Sequence, residues 1–294
     1  MTVIERFQQE VGSDDPVCVR GGGSHWEFGG LPNSETREVE APSGIEKIEP
    51  AEMLVSVGAG TTLVEVHDEL RSYGQETALD GPVESTVGGV LSVGLNGLRR
   101  PRVGAVTDAL LQAKCVGADG QIFVAGGPTV KNVTGYDLCR LLVGSLGTIG
   151  LIGTVLLRTR PSPECHLWLK GDVEPRMVLS ACYRPACPLW DGVFTWIRLE
   201  GYQIDVLEEK GILERLGLTQ VSEGPKLPLY RSRWSGQLPE GGVLEVITGV
   251  VHQDVVPSFS KNFEKKSNLA ERIKSSFDPV GRLNPGRDPY QIST

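Results

Sequence analysis

Apolar positions outline the first elements of the chain. Ile4, Phe7 and Val11 recur at helical spacing, which predicts a short amphipathic helix ended by Asp14-Asp15-Pro16. Val17-Cys18-Val19 is an unbroken apolar run and predicts a buried strand that opens into Arg20-Gly21-Gly22-Gly23-Ser24-His25. A second strand is expected over 53–57, breaking at Gly58-Ala59-Gly60. Thr62 and Glu65 have capping-box spacing, so a helix should follow through Leu70 and close near Gly74. Residues 81–97 are punctuated by glycine and predict a loop around Ser85-Thr86-Val87-Gly88-Gly89. Alternation over 109–116 and 122–124 predicts a hairpin, with Asp119-Gly120 signalling a type I′ turn. A helix over 138–143 ending at Gly144 and a long branched strand over 149–159 complete this part. Pro161-Ser162-Pro163 then marks a domain boundary.

Beyond that boundary the chain has fewer glycines and four of its five tryptophans. Strands are expected over 193–199 and 243–251 and a helix over 259–273, followed by a turn-rich tail. The whole predicts an α+β protein of 294 residues in three stretches. Residues 1–160 form one domain of two subdomains, 161–262 a small mixed cap or partner-binding domain, and 263–294 a segment that returns to the first domain.

Composition narrows the chemistry. A net charge of −8 opposes nucleic acid as the main ligand, because phosphate backbones require a basic surface. No apolar run approaches the roughly 18 residues that a membrane span requires. The first ten residues are polar and of mixed charge, with no secretory core, so a cytoplasmic protein is expected. Any membrane association would come through a partner rather than by direct insertion. Six cysteines without a CxxC pair fit a reduced compartment, and Cys182 with Cys187 falls short of the four thiolates of an iron–sulfur cluster. No metal site is expected.

Of the 37 glycines, 25 precede Arg160, and their grouping suggests a ligand. A diphosphate is bulky and anionic, and successive backbone N–H groups can surround it only where side chains stay clear. Residues 20–25 directly after a strand offer such a cradle, although a glycine-rich surface turn reads the same way. A second small-residue segment, 85–94, suits a ligand long enough to need two contacts, while a tight corner between sheets explains either loop alone. Gly58-Ala59-Gly60 has the setting of a dinucleotide turn but lacks the third glycine. No P-loop, G-x-S-x-G elbow or H-E-x-x-H is present, which removes the commonest nucleotide hydrolase, esterase and zinc-protease readings.

Together these stretches resemble the FAD-binding domain of the p-cresol methylhydroxylase/vanillyl-alcohol oxidase type. The Arg-Gly-Gly-Gly loop, the Gly-Ala-Gly turn, Ser85 to Gly89 and residues 104–110 before the hairpin carry the resemblance. Lys131-Asn132-Val133-Thr134-Gly135-Tyr136-Asp137-Leu138 followed by residues 144–150 is its most distinctive part, similar to the FAD-binding subunits of glycolate oxidases more than to their catalytic siblings. Phe277-Asp278-Pro279 and Leu283-Asn284-Pro285-Gly286 match the end of the same superfamily.

The resemblance implies the two-subdomain FAD-binding fold and assigns residues to the cofactor. Arg20, Gly21, Gly22, Gly23, Ser24 and His25 would wrap the diphosphate, with Ser85, Thr86, Gly88, Gly89, Ser92, Val93 and Gly94 on its other side. Lys131 and Asn132 would lie near the flavin ring, and the backbone of Ile149 and Gly150 would face the adenine half. His25 stands where related subunits carry lysine, and it reads as a hydrogen-bond donor to phosphate rather than a point of covalent attachment.

Oxidising a 2-hydroxy acid at a flavin requires a cation for the carboxylate and a base for the hydroxyl proton. Catalytic relatives often carry a histidine-rich stretch in the cap, which this chain lacks. His166 and His252 read as structural, and Arg231 and Arg233 beside Trp234 read as a solvated or partner-facing edge sooner than a carboxylate clamp. No catalytic base is assigned. The expected function is an electron-transferring FAD subunit of a glycolate- or D-lactate-oxidising complex, with a catalytic flavoprotein sibling and an iron–sulfur subunit as partners. A self-sufficient FAD dehydrogenase and a non-catalytic structural subunit remain as alternatives.

Overall fold

The structure, a computed structural model, describes residues 1–127, 137–255 and 263–289, with side chains described throughout except over 263–268. It divides into two compact units. The first comprises Met1–Gly97, Ala105–Pro161 and the described part of Phe259–Ser293; the second comprises Leu98–Gly104 and the described part of Ser162–Ser258.

In the first unit α1 (Val3–Val11) buries Ile4, Phe7 and Val11, the three positions that the helical spacing marks. β1 (Val17–Val19) pairs in parallel with β2 (Arg37–Val39), and these strands share a small core with α1 that includes Val116, Leu151 and Leu283. The larger sheet contains β3 (Ile45–Glu49), β4 (Leu54–Gly58), β5 (Gln75–Thr77), β6 (Leu110–Val116), β7 (Ile122–Gly126) and β8 (Leu151–Pro161). Its strands run antiparallel in the order β3-β4-β8-β6-β7, with β5 joined to β8. α2 (Leu63–Arg71) packs Leu63, Val66 and Leu70 into its core, and its capping box is complete: Glu65 N donates to Thr62 Oγ1 at 3.3 Å and Thr62 N to Glu65 Oε2 at 2.9 Å.

Several expectations change on contact with the fold. Residues 81–97 are not loop throughout, because 87–93 form a helix, α3 (Val87–Val93), capped by Thr86. The single turns α4 (Arg100–Val103) and α5 (Val106–Ala109) follow it, α4 lying in the second unit. The β6–β7 turn spans five residues rather than a two-residue type I′ turn. Gly120 has φ +73° but Asp119 is not left-handed, and its side chain instead accepts from Gln121 N at 3.0 Å. β2 and β3 escape the sequence pattern because both are short and carry mostly charged residues. α6 (Leu138–Leu142) ends as expected before Gly144, which has φ +80°.

The second unit is an antiparallel seven-stranded sheet with two main helices. Its strands are β9 (Cys165–Gly171), β10 (Cys187–Trp190), β11 (Thr195–Gly201), β12 (Thr219–Val221), β13 (Tyr230–Arg233), β14 (Val243–Glu245) and β15 (Val250–Gln253), in the order β12-β9-β11-β10-β14-β15-β13. The strand expected over 243–251 is in fact a hairpin, turned through residues 246–249 with Gly249 at φ +69°. α7 (Pro175–Ala181) and α8 (Gln203–Arg215) cover β9 and β11 through Val178, Val206 and Leu213. Arg231 and Arg233 lie on β13, an edge strand. His252 is buried and bonded through Nε2 to Glu245 Oε1 at 2.8 Å, and Glu200 is held by Arg99 at 2.8 and 3.0 Å.

α9 (Phe263–Phe277) leads the chain back to the first unit. Lys274 donates to the carbonyls of Thr148 at 2.8 Å and Leu283 at 2.7 Å and pairs with Asp278. Asp278 in turn accepts from the backbone of Arg282 and Leu283. The buried Arg282 guanidinium reaches four carbonyls, those of Val11, Gly12, Asp15 and Ala118, at 2.9–3.2 Å. This fixes residues 282–284 beside β1: Val17 N donates to Arg282 O and Asn284 N to Val17 O, each at 2.9 Å.

Candidate functional site

A groove opens within the first unit, lined by parts of both glycine segments, the Ala59-Gly60 turn and the returning tail. Residues 21–26 form one wall. β1 delivers the chain there, and a turn closed by Trp26 N to Gly23 O at 3.1 Å bends it, with Gly23 at φ +78°. The amides of Gly21, Gly22, Gly23 and Ser24 have no protein acceptor among the described residues. Four successive donors of this kind form an anion-binding concavity. Ser24 Oγ lies 2.9 Å from Ser85 Oγ and 3.2 Å from His25 Nδ1, and the His25 ring meets Phe28 edge-on at 4.9 Å.

The opposite wall takes Thr86, Gly88, Gly89, Ser92 and Val93 from the start and inner side of α3. Its amides are already used: Val87 N donates to Thr61 O at 2.9 Å, Gly88 N to Ala59 O at 2.7 Å and Gly89 N to Thr86 Oγ1 at 3.2 Å. Closeness explains the glycines. A Cβ on Gly21 would meet Thr86 Oγ1, one on Gly22 would run into the Glu84 carbonyl, and one on Gly88 would come within 2.8 Å of the Ala59 Cβ. This wall therefore gives shape, and the first supplies the donors.

Some residues expected in the site lie outside the groove. Arg20 is half-exposed, paired with Glu38 at 3.3 Å and stacked 4.9 Å over Trp26. Ser85 sits behind Ser24, and Gly94 ends α3 with φ +70°, where a Cβ would meet Gly144. Ile149 and Gly150 are packed into the core, where a Cβ on Gly150 would meet Phe123 at 2.8 Å; the groove is lined by Leu146, Gly147, Leu151 and Ile152 instead. Lys131 and Asn132 lie outside the described residues.

Other lining residues were not singled out from the sequence: Val19, Trp26, Ala41, Ala59, Gly60, Asn284 and Arg287. The Gly-Ala-Gly turn and the Asn-Pro-Gly tail were visible as motifs, but nothing in their spacing joins them to the first loop. Two buried atoms among them, Asn284 Oδ1 and Arg287 Nε, have no hydrogen-bond partner among the described residues. Burial holds the Arg287 guanidinium below its ordinary pKa, against opposing pulls from Cys18 and Glu38. An arginine still keeps its charge there. Burial, with the Glu38 carboxylate, pushes the Cys18 thiol up to about 11. Open amides, a cation, an unsatisfied acceptor and apolar flanks at Val19, Val93, Leu151 and Ile152 fit a long ligand with a central diphosphate and apolar rings.

Comparison with known proteins agrees with this chemistry. Residues 7–126 match the family described as an FAD binding domain. The chain is 26% identical to glycolate oxidase subunit GlcE of Escherichia coli, over 97% of this chain and 96% of that protein. It is 34% identical to a D-lactate dehydrogenase of Archaeoglobus fulgidus over 55% of this chain but only 36% of the relative. With glycolate oxidase subunit GlcD of Bacillus subtilis it shares 40% over 27% of this chain and 17% of that one. A solved alkyldihydroxyacetonephosphate synthase superposes with a TM-score of 0.69 at 13% identity, covering 96% of this chain and 74% of the other, and so shares the fold. The α+β architecture is accordingly the fold of that synthase, and residues 7–126 match an FAD binding domain.

Proposed function

We propose that this chain is the FAD-holding electron-transfer subunit of a complex that oxidises a small 2-hydroxy acid, glycolate or D-lactate. A catalytic flavoprotein sibling performs the alcohol oxidation, and an iron–sulfur subunit takes the electrons onward. One observation carries the reading: the match to GlcE, itself a subunit, runs nearly end to end, whereas the D-lactate dehydrogenase and GlcD matches span a minority of those proteins. The histidines of the second unit support it. His252 is committed to buried Glu245, and His166 sits opposite Glu200 on paired strands with its pKa lowered by burial and by Arg198. Neither is arranged as a base for a substrate hydroxyl.

Bound FAD supplies reversible electron acceptance. The chain's own part is to hold it: the amides of residues 21–24 would donate to the diphosphate, Thr86, Gly88 and Gly89 would leave room for it, and Val93, Leu151 and Ile152 would exclude water along the rings.

The purified chain is expected to be yellow and to release FAD rather than FMN on denaturation. Stopped-flow mixing with glycolate or D-lactate should leave its flavin oxidised, with reduction appearing once the sibling subunit is added. Rapid bleaching of the isolated chain by either acid would replace the relay with a self-sufficient dehydrogenase. Colourless protein that takes up no added FAD would remove the reading altogether.

A further inference from the structure

The returning tail brings to the groove a charge that the glycine loops lack. Among the described lining residues Arg287 is the one lysine or arginine. Its guanidinium lies 4.2 Å over the Trp26 ring, and Nη2 donates to the Trp26 carbonyl at 2.7 Å. Trp26 N is bonded to Gly23 O, so the guanidinium is tethered to the loop whose amides are open. Its Nε is buried and has no acceptor among the described residues. Nearby Asn284, 5% exposed and left-handed at φ +46°, donates Nδ2 to Leu146 O at 2.6 Å and keeps Oδ1 unsatisfied. Asp288 N to Gly29 O at 2.7 Å fixes the far side of the segment.

A buried donor and a buried acceptor left without partners carry a desolvation cost, and a native fold seldom keeps two so close unless something satisfies them. Charge points to an anion. The protein is net −8, and Glu38 pairs with Arg20 beside the first loop. A diphosphate brought to amides in such surroundings needs a counter-charge, and a guanidinium fork matches phosphate oxygens.

We propose that Arg287 binds the diphosphate of FAD together with the amides of residues 21–24, making the C-terminal segment a working part of the cofactor site. This rests on the reading that the groove holds FAD.

The test is titration of the full chain, freed of flavin, with FAD and with riboflavin, which has no phosphate. Arg287→Gln should weaken FAD binding roughly 10- to 100-fold, the span of a charged hydrogen bond, while riboflavin affinity stays within about twofold. Arg287→Lys should recover much of the FAD affinity. Unchanged FAD affinity in Arg287→Gln overturns the proposal, and so does an equal loss for both ligands, which would make Arg287 a packing residue on Trp26. If Arg287→Gln does not fold, the wild-type chain decides: FAD affinity must fall more steeply with ionic strength than riboflavin affinity, and equal slopes overturn the assignment. A wild-type chain that binds neither flavin would instead remove the reading of the groove itself.

Discussion

The two glycine segments look alike in sequence and do opposite work. In residues 21–24 the amides have no acceptor among the described residues, whereas in residues 87–89 every amide is spent on Thr61, Ala59 or Thr86. The second segment is the start of a helix, and its glycines let α3 sit directly on the Ala59 turn. Even within the first segment the roles divide. Gly22 is backed by the Glu84 carbonyl, while a Cβ on Gly23 would meet nothing within 4 Å. Glycine content thus marks where backbone comes close to something; only the bookkeeping of amides tells whether that something is ligand or protein.

Substitutions separate these roles. Gly22→Ala should have the largest effect, because its Cβ would force the Glu84 backbone away and part the two loops. Overpacking of this kind costs about 1–3 kcal/mol, and here the upper end is expected. Thermal unfolding and the flavin-to-protein ratio should fall together. Normal FAD content at normal stability would mean that the loops do not meet as described. Gly88→Ala should come next, losing about 1–3 kcal/mol against the Ala59 side chain. Its FAD affinity should hold better than its melting temperature, since no open amide is touched. Loss of FAD at an unchanged melting temperature would reverse the assignment of the two walls.

Gly23→Ala meets no atom, so only its left-handed backbone is strained, by about 1–2 kcal/mol. Here the order should invert: flavin affinity drops more than stability, as read by fluorescence titration beside calorimetry. Ser24→Ala should be the mildest, removing the 2.9 Å link to Ser85 at a cost of about 0.5–1.5 kcal/mol. A FAD loss as large as that of Gly23→Ala would show that the hydroxyl itself touches the cofactor.

The sequence made much of the first unit readable, for identifiable reasons. α1 and α2 announce themselves through Ile4, Phe7 and Val11 and through the Thr62–Glu65 box, since local spacing and capping decide them. β2 and β3 do not, because short strands with charges on most positions give no alternation to see. α3 was hidden by Gly88, Gly89 and Gly94, which read as loop, whereas burial of Val87, Val90 and Leu91 overrides their poor helix propensity. In the site, residues 21–25 follow from one strand and one turn. Asn284 and Arg287 could not be found that way, because about 260 residues and the whole second unit separate them from Trp26. Ile149 and Gly150 lie beside the lining residues Gly147, Leu151 and Ile152 rather than among them, and a Cβ on Gly150 would meet Phe123 and Leu142.

The pairing of residues 282–284 with β1 also carries a consequence for how the protein is made. A ribosome releases the strand at residues 17–19 and its neighbour β2 early, yet its other neighbour, residues 282–284, emerges only after the entire second unit has been translated. Until then Val17 lacks its tail partner, Arg282 has not joined Val11 to Ala118, and the Arg287 side of the groove does not exist. Completion of the groove therefore waits until residues 282–287 have emerged, and a chain stalled within the second unit would present the glycine loops without them.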